Sequence, residues 1–580
     1  MKKISESNKL LLLSLAVGIL TGLAAVVLLE LIEVIQAGLR PLLSGDGFSW
    51  WLLALPGIGM LLALLLVRYV IKDNIGHGVT KVLQAMSRNE SQIKPHNTFS
   101  SVITSALTIG FGGSVGAEAP IVYTGAAIGS NIGRLGGLSY RSVTTLVGCG
   151  AAGAIAGIFK APLAGMLFTM EILFFNISLG SLMPLLLSTM SATVVAYLFR
   201  GLGPSFACAL EPLSMANIPF YVVLGLFCGF VSLYFTRSTL ALEDRFAKMR
   251  SPWLRWLLCS LCLGLLIFLF PPLYGEGYTS VTSLLTAGSA ALPGAGSPLS
   301  ALLDSNWGVV LFFALVMLLK VVSMTMTNAG GGVGGTFGPT LVVGALAGFV
   351  FVRMADLCFT GRTFPEQNFV LVGMAGLMAG VMQAPMTAIF LIAEITGGYD
   401  LLLPLIIVAT CSFGCTRIWE RYSIYTKRIA QNGELLTHDN DQAVLTLLHT
   451  RNLIRDKYPR LSLNASLGEI MPIVSESTAA VFPVLDENGK FQGLIDMDDL
   501  RKHMFRTDEY SSVFVYNLMT QPLAYIAEDE PVGSVLDKFE KTDAWRLPVL
   551  DEEGNYLGFI SKSRILMAYR DELKAISVED

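Results

Sequence analysis

Long apolar segments fill the first three quarters of the chain, and a tail of mixed polar and apolar positions follows them. Breaks rich in glycine and proline separate the apolar segments. Several segments are shorter than the ~20 residues that a helix needs to span a bilayer. Short, glycine-interrupted apolar segments are typical of the discontinuous helices of transporters. The pattern predicts an all-α, polytopic membrane domain over residues 1–430, with halves at about 10–200 and 215–420.

The tail, residues 431–580, has the charge density of a soluble domain and contains a repeat of its own. Leu453–Leu500 aligns without a gap on Leu518–Ile565. Within this alignment, FPVLDENGKFQGLI matches LPVLDEEGNYLGFI. Each copy has the pattern of a strand, a turn, a second strand and a helix. We therefore expect one α/β module, with copies at about 445–505 and 513–570.

Composition supports the assignment of the first part to a membrane. Hydrophobic residues make up 53% of the chain and charged residues 14%, whereas a soluble protein has roughly a quarter charged residues. Lys2, Lys3 and Lys9 precede the first apolar segment, which predicts a cytoplasmic start by the positive-inside rule. We expect a multi-pass protein of a bacterial cytoplasmic membrane, with both termini and the tail in the cytoplasm.

The two membrane halves resemble each other at three places, in the same order along the chain. The matching pairs are Gly76–Val82 with Gly275–Val281, Gly113–Gly129 with Gly332–Gly348, and Gly150–Ile172 with Gly373–Ile395. A repeated membrane half with paired helix breaks is typical of a transporter, in which the substrate lies between the halves.

The repeat separates the membrane carboxylates into two groups. Glu171 and Glu394 occupy equivalent positions, which favours a shared structural role. Glu118, in the stretch GSVGAEAP, has Phe337 as its counterpart. A carboxylate at membrane depth is costly and usually functional. Because a helix start is positive and has free N–H groups, this stretch predicts an anion site with a carboxylate beside it.

Residues 1 to about 430 resemble the CLC family of chloride channels and proton-coupled chloride transporters, and the tail resembles a pair of CBS domains. GHGVT, GAEAP, GTFGP and SIYT match family motifs and follow the family's order. The resemblance implies an inverted-repeat fold with broken helices that forms a homodimer in a lipid bilayer. It implies transport of chloride, or of other small anions, together with protons. It implies no required cofactor, no metal and no nucleic-acid partner.

The resemblance also assigns residues by position. Glu118 resembles the external gating glutamate, whose side chain competes with chloride and takes up protons. Tyr425 resembles the tyrosine whose hydroxyl contacts the central anion. The anion-binding positions implied by the resemblance are His77, Gly78, Gly116, Ala117, Thr336, Phe337 and Tyr425.

Three departures from the family pattern bear on mechanism. His77 replaces the central serine, and it either donates an N–H to the anion or only fills the loop. Ala117 replaces a basic residue, which removes local positive potential. Ile172 stands where proton-coupled members have an internal glutamate, and isoleucine cannot hold a proton. Two functions remain open: Cl⁻/H⁺ exchange gated by Glu118, and a passive voltage- or pH-gated chloride channel.

The CBS pair is also incomplete relative to its family. The ribose-contacting pattern requires a hydroxyl followed by an acid three residues later. The first copy has Asp496 in the hydroxyl position and keeps Asp499, whereas the second keeps Ser561 but has Arg564 in place of the acid. Adenine nucleotide binding and a purely structural or gating role both remain open.

Other classes of protein fit less well. The membrane half has no HExxH and no metal cluster, so an enzyme is not expected. A divalent-cation carrier would need several acidic side chains along one pathway, and only Glu118 stands out. A fluoride-selective relative is a further alternative, but Pro120 and the GTFGP stretch fit the chloride-type pattern better.

Overall fold

The computed structural model describes residues 5–43, 50–73, 76, 78–88, 91–173, 179–206, 210–287, 297–359, 364–431 and 448–577. The chain divides into two compact units, Met1–Glu434 and Leu435–Asp580. Each unit is described by itself.

The described part of the first unit is helical. Its α-helices are α1 (Glu6–Leu43), α2 (Trp51–Leu65), α3 (Gly78–Arg88), α4 (Ser100–Gly110), α5 (Glu118–Leu135), α6 (Tyr140–Phe159), α7 (Pro162–Ile172), α8 (Leu179–Arg200), α9 (Ile218–Ala247), α10 (Pro252–Leu269), α11 (Tyr278–Ala287), α12 (Asn306–Ala329), α13 (Phe337–Cys358), α14 (Glu366–Met382), α15 (Pro385–Thr396), α16 (Leu402–Trp419) and α17 (Lys427–Gln431). The helix pairing is the same in both halves, because α5 packs on α6 as α13 packs on α14.

Helix lengths match the expected mixture of full and partial spans. Within the described ranges, nine helices are long and apolar enough to cross a membrane. Four more apolar helices are shorter: Ser100–Gly110, Pro162–Ile172, Glu366–Met382 and Pro385–Thr396. The predicted class, a polytopic helical domain with broken helices, is confirmed.

Two breaks in the helical structure meet at the centre of the unit. One precedes α5 and the other precedes α13, and both are buried. The N–H of Gly116 donates to the carbonyl oxygen of Gly335 over 3.0 Å, and the N–H of Gly335 donates back over 2.7 Å. Irregular backbone at membrane depth must find its partners within the protein. The breaks therefore satisfy each other and join the two halves.

A second set of hydrogen bonds between the halves involves the two equivalent carboxylates. Glu394, on α15, accepts hydrogen bonds from the N–H groups of Leu163 and Ala164 at the start of α7. Glu171, on α7, accepts hydrogen bonds from the N–H groups of Met386 and Thr387 at the start of α15. Each glutamate thus caps the helix that carries the other, where a negative charge is favourable. Both have a structural role here.

The second unit contains two small sheets of the same design. Its strands are β1 (Leu461–Ser462), β2 (Val481–Leu485), β3 (Phe491–Asp496), β4 (Ile526–Ala527), β5 (Arg546–Leu550) and β6 (Tyr556–Ser561). Its helices are α18 (Thr450–Leu453), α19 (Leu467–Ser475), α20 (Met497–Arg501), α21 (Val515–Leu518), α22 (Val532–Thr542) and α23 (Lys562–Ser577). Sheet orders β1-β2-β3 and β4-β5-β6 each combine one parallel and one antiparallel pairing.

The register of the two sheets follows the sequence repeat. In the first sheet Val481 pairs with Asp496, and in the second Arg546 pairs with Ser561. These pairs occupy equivalent positions in the aligned copies. The two copies also contact each other, because Leu494 and Thr520 exchange backbone hydrogen bonds. The expected α/β module is confirmed.

We expect Glu394→Ala and Glu171→Ala each to lower the stability of the helical unit by about 2 kcal/mol. Each variant leaves two N–H groups at a helix start without their carboxylate partner. Thermal unfolding of the purified chain in detergent measures the effect. Glu211→Ala is the control, because this exposed residue contacts Asn368 through its backbone. An unchanged unfolding midpoint in either capping variant would contradict the prediction.

Candidate functional site

The two paired breaks place two helix starts against each other. Ala117 is the N-cap of α5, and Thr336 is the N-cap of α13. The first N–H groups of a helix have no partner within it, and the helix dipole is positive there. Two such starts converging in a buried region form a ready anion site, because N–H donors can replace the water around the ion.

Glu118 occupies this junction. Its side chain is 1% exposed, and its Oε2 accepts a hydrogen bond from the N–H of Gly338 over 3.1 Å. Its Oε1 accepts a hydrogen bond from the Tyr278 hydroxyl over 2.5 Å. A carboxylate carried by α5 thus lies against the N terminus of α13.

Two glycines make room for this carboxylate. A Cβ added at Gly116 would lie 2.1 Å from Oε2 of Glu118, and one added at Gly338 would lie 3.0 Å from Oε1. Real Cβ atoms do not approach neighbours as closely as 2.1 Å, so a side chain at position 116 would displace the carboxylate. These glycines are required by close approach of the glutamate, and not by backbone dihedral angles.

Protein atoms already engage two of the N–H groups that the sequence predicted to bind an anion. The N–H of Gly116 takes part in the pairing with Gly335. The N–H of Ala117 donates to Oε1 of Glu276 over 3.0 Å. Each helix start is therefore capped by a carboxylate from elsewhere in the fold: Glu276 at α5 and Glu118 at α13.

A buried lysine lies close to the start of α5. Lys320, on α12, is 0% exposed. Its Nζ donates to the Ser114 hydroxyl and to the Gly275 carbonyl oxygen, each over 2.8 Å. Its charge also attracts that of Glu276. Lys320 therefore supplies positive charge to the region where Ala117 removes it from the family motif.

On the other side of the α13 start, Tyr425 and Thr336 come together. Tyr425 is 3% exposed, and its hydroxyl oxygen accepts a hydrogen bond from the Thr336 hydroxyl over 3.2 Å. This leaves the phenolic hydrogen of Tyr425 able to donate to another group. The Thr80 hydroxyl contacts the carbonyl oxygen of Tyr425 over 3.4 Å, which ties α3 to the same place.

The remaining predicted positions are Gly78, Phe337, His77 and Ile172. Gly78 is the first residue of α3, and a Cβ there would lie 2.1 Å from the carbonyl oxygen of Ala119. The Phe337 ring packs on Phe159, with centroids 5.6 Å apart. His77 lies outside the described residues. Ile172 is 2% exposed at the end of α7.

In the second unit, Asp496 ends β3 and Ser561 ends β6. Asp496 lines a cleft of 680 Å³ together with Asp498, Trp545 and Arg546. Burial raises the pKa of Asp496, and the neighbouring Asp499 and Asp498 raise it further.

The other two predicted nucleotide residues are engaged locally. Asp499 accepts a hydrogen bond from Lys502 Nζ over 2.7 Å, and the Ser561 hydroxyl accepts one from the N–H of Arg564 over 3.2 Å.

Sequence reasoning did not single out Tyr278, Lys320 or Glu276. Lys320 had a detectable signal, since it is the lysine inside the otherwise apolar helix α12. Glu276 and Tyr278 belong to GEGYT, the counterpart of GHGVT. Their proximity to Glu118 depends on how the halves pack, which no local pattern reports.

Comparison with known proteins agrees with this fold. The family model described as voltage gated chloride channel matches residues 58–417, and the CBS domain model matches residues 451–506 and 515–571. A slow cyanobacterial Cl⁻/H⁺ antiporter has a similar fold, with a TM-score of 0.63 at 20% identity. The match covers 74% of this chain and 99% of the antiporter.

Two curated relatives are similar over the helical part. A putative chloride channel protein, ClcB-like, from Ralstonia nicotianae is 29% identical over 400 residues, which cover 67% of this chain and 88% of the relative. The H(+)/Cl(-) exchange transporter ClcA from Salmonella arizonae is 28% identical over 429 residues, which cover 69% of this chain and 84% of the relative.

Proposed function

The chain belongs to the voltage gated chloride channel family, and we propose on this premise that it transports chloride in exchange for protons, with Glu118 as the gate. It is a multi-pass membrane protein with a C-terminal pair of CBS domains. One observation carries the proposal: Oε2 of Glu118 accepts the N–H of Gly338 at the start of α13. An anion bound there would need the same donor, so carboxylate and chloride exclude each other.

Proton uptake by Glu118 couples the binding of chloride to the transfer of a proton. Once neutral, the side chain loses most of its attraction to the positive helix start, and chloride replaces it. The ion then lies between the first N–H groups of α13 and the hydroxyl of Tyr425, whose hydrogen is available to it. Since none of these donors has a full positive charge, they do not hold the ion too tightly for transport.

The intracellular proton route cannot use the side chain at position 172, because isoleucine does not titrate. The neighbouring Glu171 is engaged with the start of α15. We infer that water carries protons to Glu118 in this protein. A passive chloride channel is the second candidate function, and Ile172 is the observation that favours it.

The assembly and location are part of the same proposal. We propose a homodimer with one anion pathway per subunit in a bacterial cytoplasmic membrane, with the CBS pair in the cytoplasm. Asp496 places a carboxylate where the ribose-contacting pattern requires a hydroxyl, in a cleft that Asp498, Arg501 and Arg546 also line. We therefore propose that the natural sequence binds adenine nucleotides weakly.

Reconstituted vesicles test the gate. With an imposed chloride gradient and a pH electrode outside, the natural chain should move protons against their own gradient. Glu118→Gln should keep chloride flux and lose the uphill proton movement, because the amide cannot take up a proton. Glu30→Gln removes an exposed carboxylate paired with Arg200 and should behave as the natural chain. Chloride flux without uphill proton movement in the natural chain would establish the passive channel instead.

Calorimetry tests the tyrosine. Tyr425→Phe should weaken chloride binding by roughly tenfold to a hundredfold, because one hydrogen bond to a charged group contributes about 1.5–3 kcal/mol. Tyr234→Phe is the matched control, since it removes a hydroxyl that contacts Leu318 elsewhere. Equal affinity in the two variants would show that Tyr425 does not contact the ion.

Binding of adenosine monophosphate to the full chain tests the CBS cleft. Asp496→Ser should tighten binding, since it replaces a carboxylate with the hydroxyl that the ribose-contacting pattern requires. Asp537→Ser, an exposed change on α22, should leave binding unchanged. If Asp496→Ser does not differ from this control, the Asp496 carboxylate is not what limits nucleotide binding.

A further inference from the structure

We propose that Glu276 is a second gating carboxylate, which occupies the anion-binding position at the start of α5 and must take up a proton before chloride binds there. The proposal rests on the function proposed above and extends it. It predicts that chloride binding is linked to protons at two side chains, Glu118 and Glu276, and not at one.

The first support is the contact itself. Oε1 of Glu276 accepts the N–H of Ala117 over 3.0 Å, as Oε2 of Glu118 accepts the N–H of Gly338 over 3.1 Å. Ala117 is the N-cap of α5, where the helix dipole favours an anion. Both helix starts that face the junction thus have a carboxylate in the place of an anion.

The second support is that the backbone beside Glu276 is fixed at the junction. The N–H of Gly275 donates to the carbonyl oxygen of Gly112 over 3.1 Å. The carbonyl oxygen of Gly275 accepts from Nζ of Lys320 over 2.8 Å. Two residues beyond Glu276, the Tyr278 hydroxyl donates to Glu118. The segment therefore holds Glu276 at α5 and contacts the first gate.

The third support is the charge balance. Among the described residues, the charged and titratable groups that face Glu276 are Glu118 from α5, Lys320 from α12 and Tyr278 from its own segment. With both carboxylates ionised and Lys320 protonated, the cluster of Glu118, Glu276 and Lys320 has one net negative charge. One proton makes it neutral, and a second makes it positive. Since charges interact strongly in a buried site, chloride is favoured when both carboxylates are protonated.

Chloride calorimetry on the Glu118→Gln chain isolates the second carboxylate. Across about pH 4.5–8, chloride should bind more tightly as the pH falls, by up to about tenfold per pH unit for one linked proton. The double variant Glu118→Gln, Glu276→Gln should bind with an affinity that changes much less with pH, and the change that remains belongs to Lys320. Glu118→Gln with Glu30→Gln is the matched control, and it should keep the pH dependence of Glu118→Gln alone.

Two outcomes would overturn the proposal. One is a pH-independent affinity in Glu118→Gln, and the other is a double variant whose pH dependence is as steep as that of Glu118→Gln. If the double variant does not fold, proton uptake by Glu118→Gln on chloride addition, in weakly buffered detergent, decides instead. Uptake of a fraction of a proton per chloride supports Glu276, and zero uptake at every pH overturns it. Failure of the natural chain to bind chloride would refute the proposed transport function itself.

Discussion

The backbone pairing between Gly116 and Gly335 is the constraint on which the rest of the first unit depends. Each glycine lies in a helix break, where several N–H and C=O groups lose their helical partners. At membrane depth no water is available to replace these partners. By donating to each other, the two breaks satisfy the backbone and fix the starts of α5 and α13 face to face. The proposed anion site is a consequence of this pairing.

Two converging helix starts create a positive region that must be balanced whenever no anion is bound. In this structure Glu118 and Glu276 provide the balance, and Lys320 offsets part of their charge. The family motif places a basic residue beside the gate, whereas here Ala117 occupies that position and the buried lysine reaches the same region from α12. Local positive potential is thus supplied by tertiary packing instead of by the motif.

The sequence predicted the fold class well, because it depends on patterns that local chemistry imposes. Apolar runs, glycine breaks and two internal repeats all have one-dimensional signatures. The position of Glu118 at a helix start was also predictable, and the repeat distinguishes it because its counterpart is the apolar Phe337. The partnership of Glu276 with Ala117 was not predictable, because 159 residues separate them along the chain. Only the packing of one half on the other brings them within a hydrogen bond.

The reciprocal capping by Glu171 and Glu394 has a consequence for the origin of the chain. A single half that carried one such glutamate would have an uncapped helix start and a carboxylate without a hydrogen-bond donor. Two identical halves related by a two-fold axis would satisfy each other, as in an isologous dimer. The exchange of caps between α7 and α15 is therefore the contact expected of an ancestral pair of separate, identical chains, preserved after their genes became joined.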